Sequence, residues 1–488
     1  MNNIFSIYSL GLHNFKCYDD TDKQISFGKE LTVIIGQNGT GKTALLNGIK
    51  KAVSIVLAKD RRKNYKFVGD GLNIKQNTIK LEDSRYNFEY SEIDEDYEFP
   101  VSLDCSGIIR DQEKEWHIEK PDKRSRSEMT FRDALDTFLA PFNAGENPYP
   151  KLPVLCFFSD CFPHVRNDMA KYEKDILFNK SDNPERRAGY YRWDEDSTDF
   201  YFWTGMYVNA YERINDVQSG FLATERQLAN PDLSEKSRNV LEKRLESLNR
   251  SKAEIEYVGQ YLKLFTRSIK RYDNENIEIE DLTVGKYDGK GNAIKITFTN
   301  GQSRFFDMLP EGHKRLFAIV FEIAYRHFVL NRVKVLENPN ECKPEGIVII
   351  DEVELHLHPS LAEETIARLR NTFPDVQFIV TTHSPTIVSN VYNDGKCVRV
   401  VRLNKNHDFS LAENCFQTEY SDTMVIAMGA YNSMRYIQTL RQRYLDAKEE
   451  NNIERLQEIR QSLLEFVGNI ANASNVVDDM LTDWNNMF

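Results

Sequence analysis

Residues 31–43, Leu-Thr-Val-Ile-Ile-Gly-Gln-Asn-Gly-Thr-Gly-Lys-Thr, constrain this chain more than any other stretch. A β-branched apolar run feeds into a glycine-rich loop, and a helix-compatible segment follows from Ala44 to Val56. Gly36, Gly41, Lys42 and Thr43 stand at the spacing of a phosphate-binding P-loop, with Asn38 and Gly39 inside it. Glycines let backbone N–H groups curl around phosphate oxygens without a Cβ in the way. The helix that opens near Gly41 aims the positive end of its dipole at the anion. Lys42 is expected to reach the β- and γ-phosphates and the Thr43 hydroxyl to ligate Mg²⁺, so ATP with Mg²⁺ is the expected ligand. The fold this implies is α/β.

A P-loop needs an acidic strand end to hold the metal and activate water. Residues 346–352, Gly-Ile-Val-Ile-Ile-Asp-Glu, supply one: a buried parallel strand with carboxylates at its C-terminal tip. Asp351 is expected to position Mg²⁺, and Glu352 to polarise the attacking water as general base. Gln377–Pro385 reads as another strand with a polar tip, placing His383 near the γ-phosphate as a hydrogen-bonding sensor. His356 and His358 invite a metal reading together with His383. No cysteine or further carboxylate set at ligand spacing supports it.

The chain has 488 residues, 41% of them hydrophobic, enough for two or three domains. Its net charge of −12 argues against a surface built for tight nonspecific nucleic-acid binding. Two basic clusters, residues 59–63 and 120–126, read as solvated faces before DNA sites. No apolar run is long enough to span a membrane, and the first ten residues lack a signal-peptide layout. Seven scattered cysteines without a CxxC pair read as free thiols in a reducing cytoplasm.

Strands are expected at 3–11, 31–35 and 152–158, and a β-rich stretch from about 64 to 120. Residues 159–213 are rich in aromatics, among them Tyr190, Trp193, Phe200 and Trp203, which read as a packed helical lid before a base-stacking platform. Leu241, Leu245, Leu248, Ile255, Leu262, Phe265 and Ile269 mark a heptad-like helix too short for a long coiled-coil arm. Residues 277–306 return to β alternation around a turn at 288–292. From 419 to 488 the chain is helical, with Leu456, Ile459, Leu463, Phe466, Val467 and Ile470 on one face and Val477, Met480, Leu481 and Trp484 extending it. That face suits either the protein's own core or a docked partner.

Ile-Ile-Asp-Glu-Val-Glu-Leu-His-Leu-His-Pro followed by Thr-Thr-His-Ser-Pro resembles the ABC-type ATPases of the RecF, SMC/Rad50 and OLD group. Leu10–Cys17 resembles their opening strand. The resemblance implies two ATPase heads that sandwich ATP, each signature loop capping the nucleotide of the opposite subunit. The matching loop is Leu309-Pro310-Glu311-Gly312-His313-Lys314-Arg315, which puts Glu311 and Gly312 against nucleotide. Pro310 and Glu311 depart from the family's Leu-Ser-Gly-Gly or Leu-Ser-Asp-Gly, so the serine hydroxyl is missing. The family's Q-loop glutamine is sought after Phe158. The organisation implied is an ABC-type P-loop ATPase head with an inserted helical, short coiled-coil subdomain and a C-terminal helical extension. Its parts are an N-terminal lobe at 1–150, the insertion at 151–274, a C-terminal lobe at 275–405 and the extension at 406–488.

Within this group the chain looks like the PtuA-type ATPases of Septu and related retron anti-phage defence systems, which work beside a separate HNH nuclease, PtuB. That resemblance implies a cytoplasmic ATPase that pairs its heads, as a homodimer or a higher oligomer, and controls a nuclease subunit. The chain itself shows neither a Toprim nor an HNH pattern. The alternative is a RecF- or Rad50-like DNA-repair ATPase that binds nucleic acid through Arg61, Arg62 and Lys63 or through Arg267, Lys270 and Arg271. A transporter's nucleotide-binding subunit is the third class. The long stretch between Thr43 and Leu309 and the lack of a membrane segment count against it.

Overall fold

The computed structural model describes residues 3–21, 23–58, 76–86, 97–130, 132–143, 149–163, 186–196, 200–215, 224–230, 234–267, 278–287, 291–428, 433–450, 452–467 and 473–486. The cluster at 59–63, Lys270, Arg271 and most of the turn at 288–292 lie outside them. Two compact units divide after Thr418.

The larger unit, Met1–Thr418, is built on three sheets. The first carries β1 (Phe5–His13), β2 (Lys23–Ser26), β4 (Val101–Ile109), β5 (Gln112–Lys120) and β6 (Glu128–Thr130), in the order β2-β1-β4-β5-β6. The second carries β3 (Leu31–Gly36), β7 (Val154–Phe158), β11 (Glu345–Ile350), β12 (Asp375–Thr382), β13 (Val398–Leu403) and β14 (Phe409–Leu411), in the order β14-β13-β3-β12-β11-β7. A small third sheet holds β8 (Ile279–Tyr287), β9 (Gly291–Phe298) and β10 (Ser303–Phe305). The first sheet is antiparallel throughout. The second is parallel except at β14.

The apolar runs Val-Ile-Ile and Ile-Val-Ile-Ile place β3 and β11 inside the parallel sheet, where both faces are covered and every residue of each strand is buried. Gln377 in β12 joins this sheet to the antiparallel one. Its amide accepts from Ile7 N (3.0 Å) and donates to Ile7 O (2.8 Å) and Gly28 O (2.8 Å). Ile7 stands at a register shift between β1 and β4, and the glutamine satisfies backbone groups there.

The helix Glu311–Glu337 is buried on nearly all sides. Around it pack Phe200, Trp203 and Tyr207 of the helix Phe200–Asn215, with ring centroids 5.6–5.7 Å from Phe321 or Tyr325. Among the described residues of the aromatic-rich segment, Tyr190, Trp193, Phe200, Phe202, Trp203 and Tyr207 are therefore core rather than a stacking platform, with Trp203 fully buried. The helix Glu235–Arg267 buries Leu248, Tyr257, Val258, Tyr261, Leu262 and Phe265 in its C-terminal two-thirds, while most of its first three turns stay exposed. The basic cluster at 120–126 closes on itself: Lys120 is buried and donates to Ser125 O, and Asp122 accepts from the backbone of Arg124 and Ser125.

The smaller unit, Glu419–Phe488, holds the helices Tyr420–Ile426, Ser433–Glu449, Ile453–Val467 and Ala473–Asn486. Leu440, Ala447, Ile459, Leu463, Val477 and Trp484 form its core, with Leu456, Met480 and Leu481 packed against it. The apolar face read from the sequence thus turns inward on its own unit, and only Phe466 is left half-exposed. The side chains of Val467 and Ile470 lie outside the described residues. No helix among the described residues is long and apolar enough to cross a membrane, and no disulfide joins the cysteines.

Replacing Gln377 with leucine strands three buried backbone groups, which predicts a loss on the order of 3 kcal/mol in urea unfolding. A variant as stable as the parent would show that the two sheets do not depend on this bridge.

Candidate nucleotide site

Strand register brings the distant motifs together. Ile35 of β3 lies opposite Thr382 of β12, and Ile350 of β11 lies opposite both Val380 of β12 and Phe158 of β7. Because the strands are parallel, the P-loop after Gly36, the acidic pair after Ile350, His383 after Thr382 and Ser159 after Phe158 all emerge at one edge. Ligands bind at this carboxyl edge in open parallel sheets.

The P-loop leads into the helix Lys42–Val53. Gly41 caps that helix at φ 98°, a left-handed conformation, and a Cβ there would come within 2.7 Å of Cys17 Sγ. No other residue fits without strain. Gln37, Asn38, Gly39 and Thr43 are exposed, so the concave side of the loop is open to a phosphate chain. Lys42 is buried, and its ammonium donates to Gly36 O (2.8 Å) and Gln37 O (3.1 Å). Burial pulls its pKa down, while the charges of Asp351, Glu352 and Glu354 pull it up. The charges of Asp351, Glu352 and Glu354 thus act on the ammonium that the loop holds, and the Thr43 hydroxyl and the Asp351 carboxylate are oxygen donors of the kind Mg²⁺ takes beside a polyphosphate.

Thr381 organises the acidic tip and was not singled out by sequence. Its hydroxyl donates to the Asp351 carboxylate and accepts from Glu352 N (2.8 Å). Asp351 N in turn donates to Phe158 O (2.8 Å), continuing the β11–β7 ladder by one residue. Glu352 sits at φ 45°, an uncommon conformation for a residue with a Cβ. Desolvation and then the neighbouring Asp351 charge raise its pKa, while His383 draws it down. His383 thus lies within electrostatic reach of Glu352. Its backbone N–H donates to Glu354 Oε1 (2.6 Å), so Glu354 fixes the loop that carries the histidine.

The segment expected to be the signature loop opens the helix Glu311–Glu337, whose cap residue Pro310 offers no side-chain hydrogen bond. Glu311 is exposed, 3.9 Å from Lys314. A Cβ on Gly312 would stand 2.7 Å from His356 O, so this glycine lets the helix press against the segment after Glu352. One turn on, Arg315 is fully buried. Its guanidinium donates to the carbonyls of Ser159 (3.1 Å), Asp160 (3.2 Å), Phe162 (2.7 Å), Asp351 (2.8 Å) and Glu352 (3.3 Å). Burial lowers its pKa to about 10, which leaves it a cation at neutral pH. Sequence reading passed over Arg315, whose only signal was its place in the loop. The loop after Phe158 carries Ser159 and Asp160, and no glutamine occurs between Gln112 and Gln218. The Q-loop is therefore not where it was sought. His358 caps the helix Pro359–Thr372 through Ser360, and among the described residues no group of three or more His, Cys, Asp or Glu is placed to hold a metal.

The model of the AAA ATPase domain family matches residues 6–388. The chain belongs to this family. A retron Vc95 probable ATPase from Vibrio cholerae serotype O1 biovar El Tor is 27% identical over 409 residues, covering 79% of this chain and 72% of that protein. A retron Ec83 probable ATPase from Escherichia coli is 24% identical, covering 78% and 69%. A Septu protein PtuA from Bacillus mycoides is 38% identical over 89 residues, 18% of this chain and 11% of that one. The chain is an ATPase with a P-loop, and it is similar to the ATPases of retron and Septu systems.

The raised Glu352 pKa has a thermodynamic consequence. An acid whose folded pKa exceeds its free value of 4.5 makes the fold less stable once it ionises at higher pH. Glu352→Gln is therefore expected to raise the melting temperature of the nucleotide-free protein at pH 7, with the gain shrinking as pH falls below the carboxylate range. A lower melting temperature at pH 7 would mean that the ionised carboxylate is stabilising.

Proposed function

We propose that this ATPase is the nucleotide-driven subunit of an anti-phage defence complex, with two heads closing around ATP to control a separate HNH-type nuclease in the cytoplasm. The observation that carries the ATPase chemistry is the parallel register that brings the P-loop and the Asp351–Glu352 pair to one sheet edge. The retron and Septu relatives support the defence setting.

In this reading the P-loop amides of Gly36 to Thr43 and the Lys42 ammonium bind the phosphate chain. Bound Mg²⁺, held by Thr43 and Asp351, would neutralise charge on the phosphates. Glu352 draws a proton from the attacking water, and its raised pKa makes it a better base than a solvated carboxylate. His383 donates a hydrogen bond to the terminal phosphate. Glu311 and Gly312 meet the nucleotide of the opposite head at a helix N-terminus. Pro310 in place of the family's serine removes the hydroxyl that would meet the terminal phosphate, and Glu311 beside it brings a negative charge, so turnover is expected to be slow.

Lys42→Ala should abolish binding of a fluorescent ATP analogue; tight binding in that variant would defeat the P-loop assignment. Glu352→Gln should bind ATP while hydrolysis falls by about 10²- to 10⁴-fold, and light scattering should show paired heads accumulating with ATP. Unchanged turnover would remove Glu352 as the base, and a monomer under all conditions would remove the paired heads. Affinity capture of the Glu352→Gln protein from its native host tests the partner. A stoichiometric HNH protein is expected. Recovery of duplex DNA with salt-dependent affinity and no nuclease would replace the defence reading with a RecF- or Rad50-like one.

A further inference from the structure

The outer side of the phosphate loop is walled by groups that the proposed chemistry leaves unused. Thr40 O accepts from His407 Nδ1 at 2.8 Å, and Gly41 O accepts from the Tyr18 hydroxyl at 3.0 Å. The two rings meet edge to face, with centroids 5.6 Å apart, and Tyr18 also stacks on Phe409 at 5.8 Å. Both side chains lie against the same glycine: a Cβ on Gly41 would be 3.2 Å from Tyr18 Oη and 3.4 Å from His407 Nδ1. In a trans peptide the N–H points opposite to the C=O. Holding Thr40 O and Gly41 O from outside therefore sets the directions of the Gly41 and Lys42 N–H groups.

The turn that carries His407 is itself anchored. His407 N donates to Asn404 O (3.1 Å) and Asn404 N to Asp408 O (3.1 Å), while the Asp408 carboxylate pairs with Lys23 of β2. His407 adopts φ 62°, a left-handed conformation that a glycine or asparagine takes at lower cost. A turn needing only that backbone has no use for an imidazole, and this imidazole is bonded to the P-loop. Because a carbonyl can only accept, Nδ1 carries the proton, and the bond persists whether or not the ring is charged.

We propose that His407 and Tyr18 are positioning residues for nucleotide, holding two successive P-loop peptides so that the Gly41 and Lys42 amides meet the phosphate chain. The inference rests on the reading of this loop as the ATP site. The amides act on phosphates shared by substrate and product, so ATP and ADP affinity fall together when the clamp is removed. Tyr18 matters less than His407, since Gly41 O also accepts from Leu45 N at 2.9 Å.

Three variants of the full chain test this: His407→Gly, His407→Gln and Tyr18→Phe. Isothermal titration with Mg-ATP and Mg-ADP gives affinities, and steady-state hydrolysis separates KM from kcat. Glycine suits the left-handed backbone, so His407→Gly should melt no lower than the parent. Its Kd for both nucleotides should rise about five- to tenfold, the scale of one lost hydrogen bond, with KM rising in step and kcat within about twofold. His407→Gln, whose amide can donate to Thr40 O, should recover most of the affinity. Tyr18→Phe should weaken binding about two- to threefold. A folded His407→Gly protein with parental Kd overturns the proposal, as does a glutamine variant no better than glycine. If His407→Gly fails to fold, Tyr18→Phe decides, and parental affinity there counts against the clamp. A parent protein that binds no nucleotide defeats the ATP-site reading itself. Binding that is lost in Lys42→Ala but untouched in the His407 and Tyr18 variants defeats the clamp alone.

Discussion

The parallel register of β3, β12, β11 and β7 is the constraint on which the rest of the structure depends. Gly36, Asp351, His383 and Ser159 come from segments far apart in the chain, and they share an edge because their strands run in the same direction and in step. Backbone hydrogen bonding fixes that alignment more firmly than any side-chain pair could. A one-residue slip would turn each strand's side chains to the opposite face. It would also separate Thr381 from the Asp351 carboxylate and the Glu352 amide that it bridges.

Buried polar side chains then tie the surrounding elements to this edge. Along the helix Glu311–Glu337, Arg315, Glu322 and Arg326 occupy one face at steps of seven and four residues, and all are buried. Arg315 gathers carbonyls from the β7 loop and from Asp351 and Glu352. Arg326 pairs with Glu322, donates to Gly189 O and Tyr191 O, and lies over the Trp203 ring. Asn331, where the helix kinks, bonds both backbone groups of Leu152. This helix is thereby connected to the acidic tip through the backbone rather than through a charge pair. The cost of burying these cations is offset because each carbonyl is a preoriented dipole and the pairs are nearly complete.

Much of the site was legible in the chain because its chemistry restricts residue type and spacing. Gly41, Lys42 and Thr43 announce an anion loop at whatever place they occur, and the apolar runs before Gly36 and Asp351 announce buried parallel strands. The helical face of residues 456–484 was legible as apolar, but periodicity could not say what would cover it; it covers itself. Phe200 and Trp203 carried no periodic signal that distinguished core from surface, and packing against Phe321 and Tyr325 made them core. The roles of Arg315 and Gln377 were not legible, although the segments that carry them were. Their partners are main-chain carbonyls and amides, which leave no trace in residue type.

By itself, then, the sequence determined a nucleotide-binding α/β head: strand, glycine loop, lysine, and a second strand ending in two acids. These follow from the bonding needs of phosphate and metal, which act over a few neighbouring residues. Only the tertiary structure decided that Thr381 would hold Asp351, that Glu354 would brace the His383 loop, and that His407 would reach the P-loop from more than 360 residues away. A polar residue at helical or turn spacing reads as solvated until the fold supplies a buried partner. Whether it does is set by the register of distant strands, which no local pattern encodes.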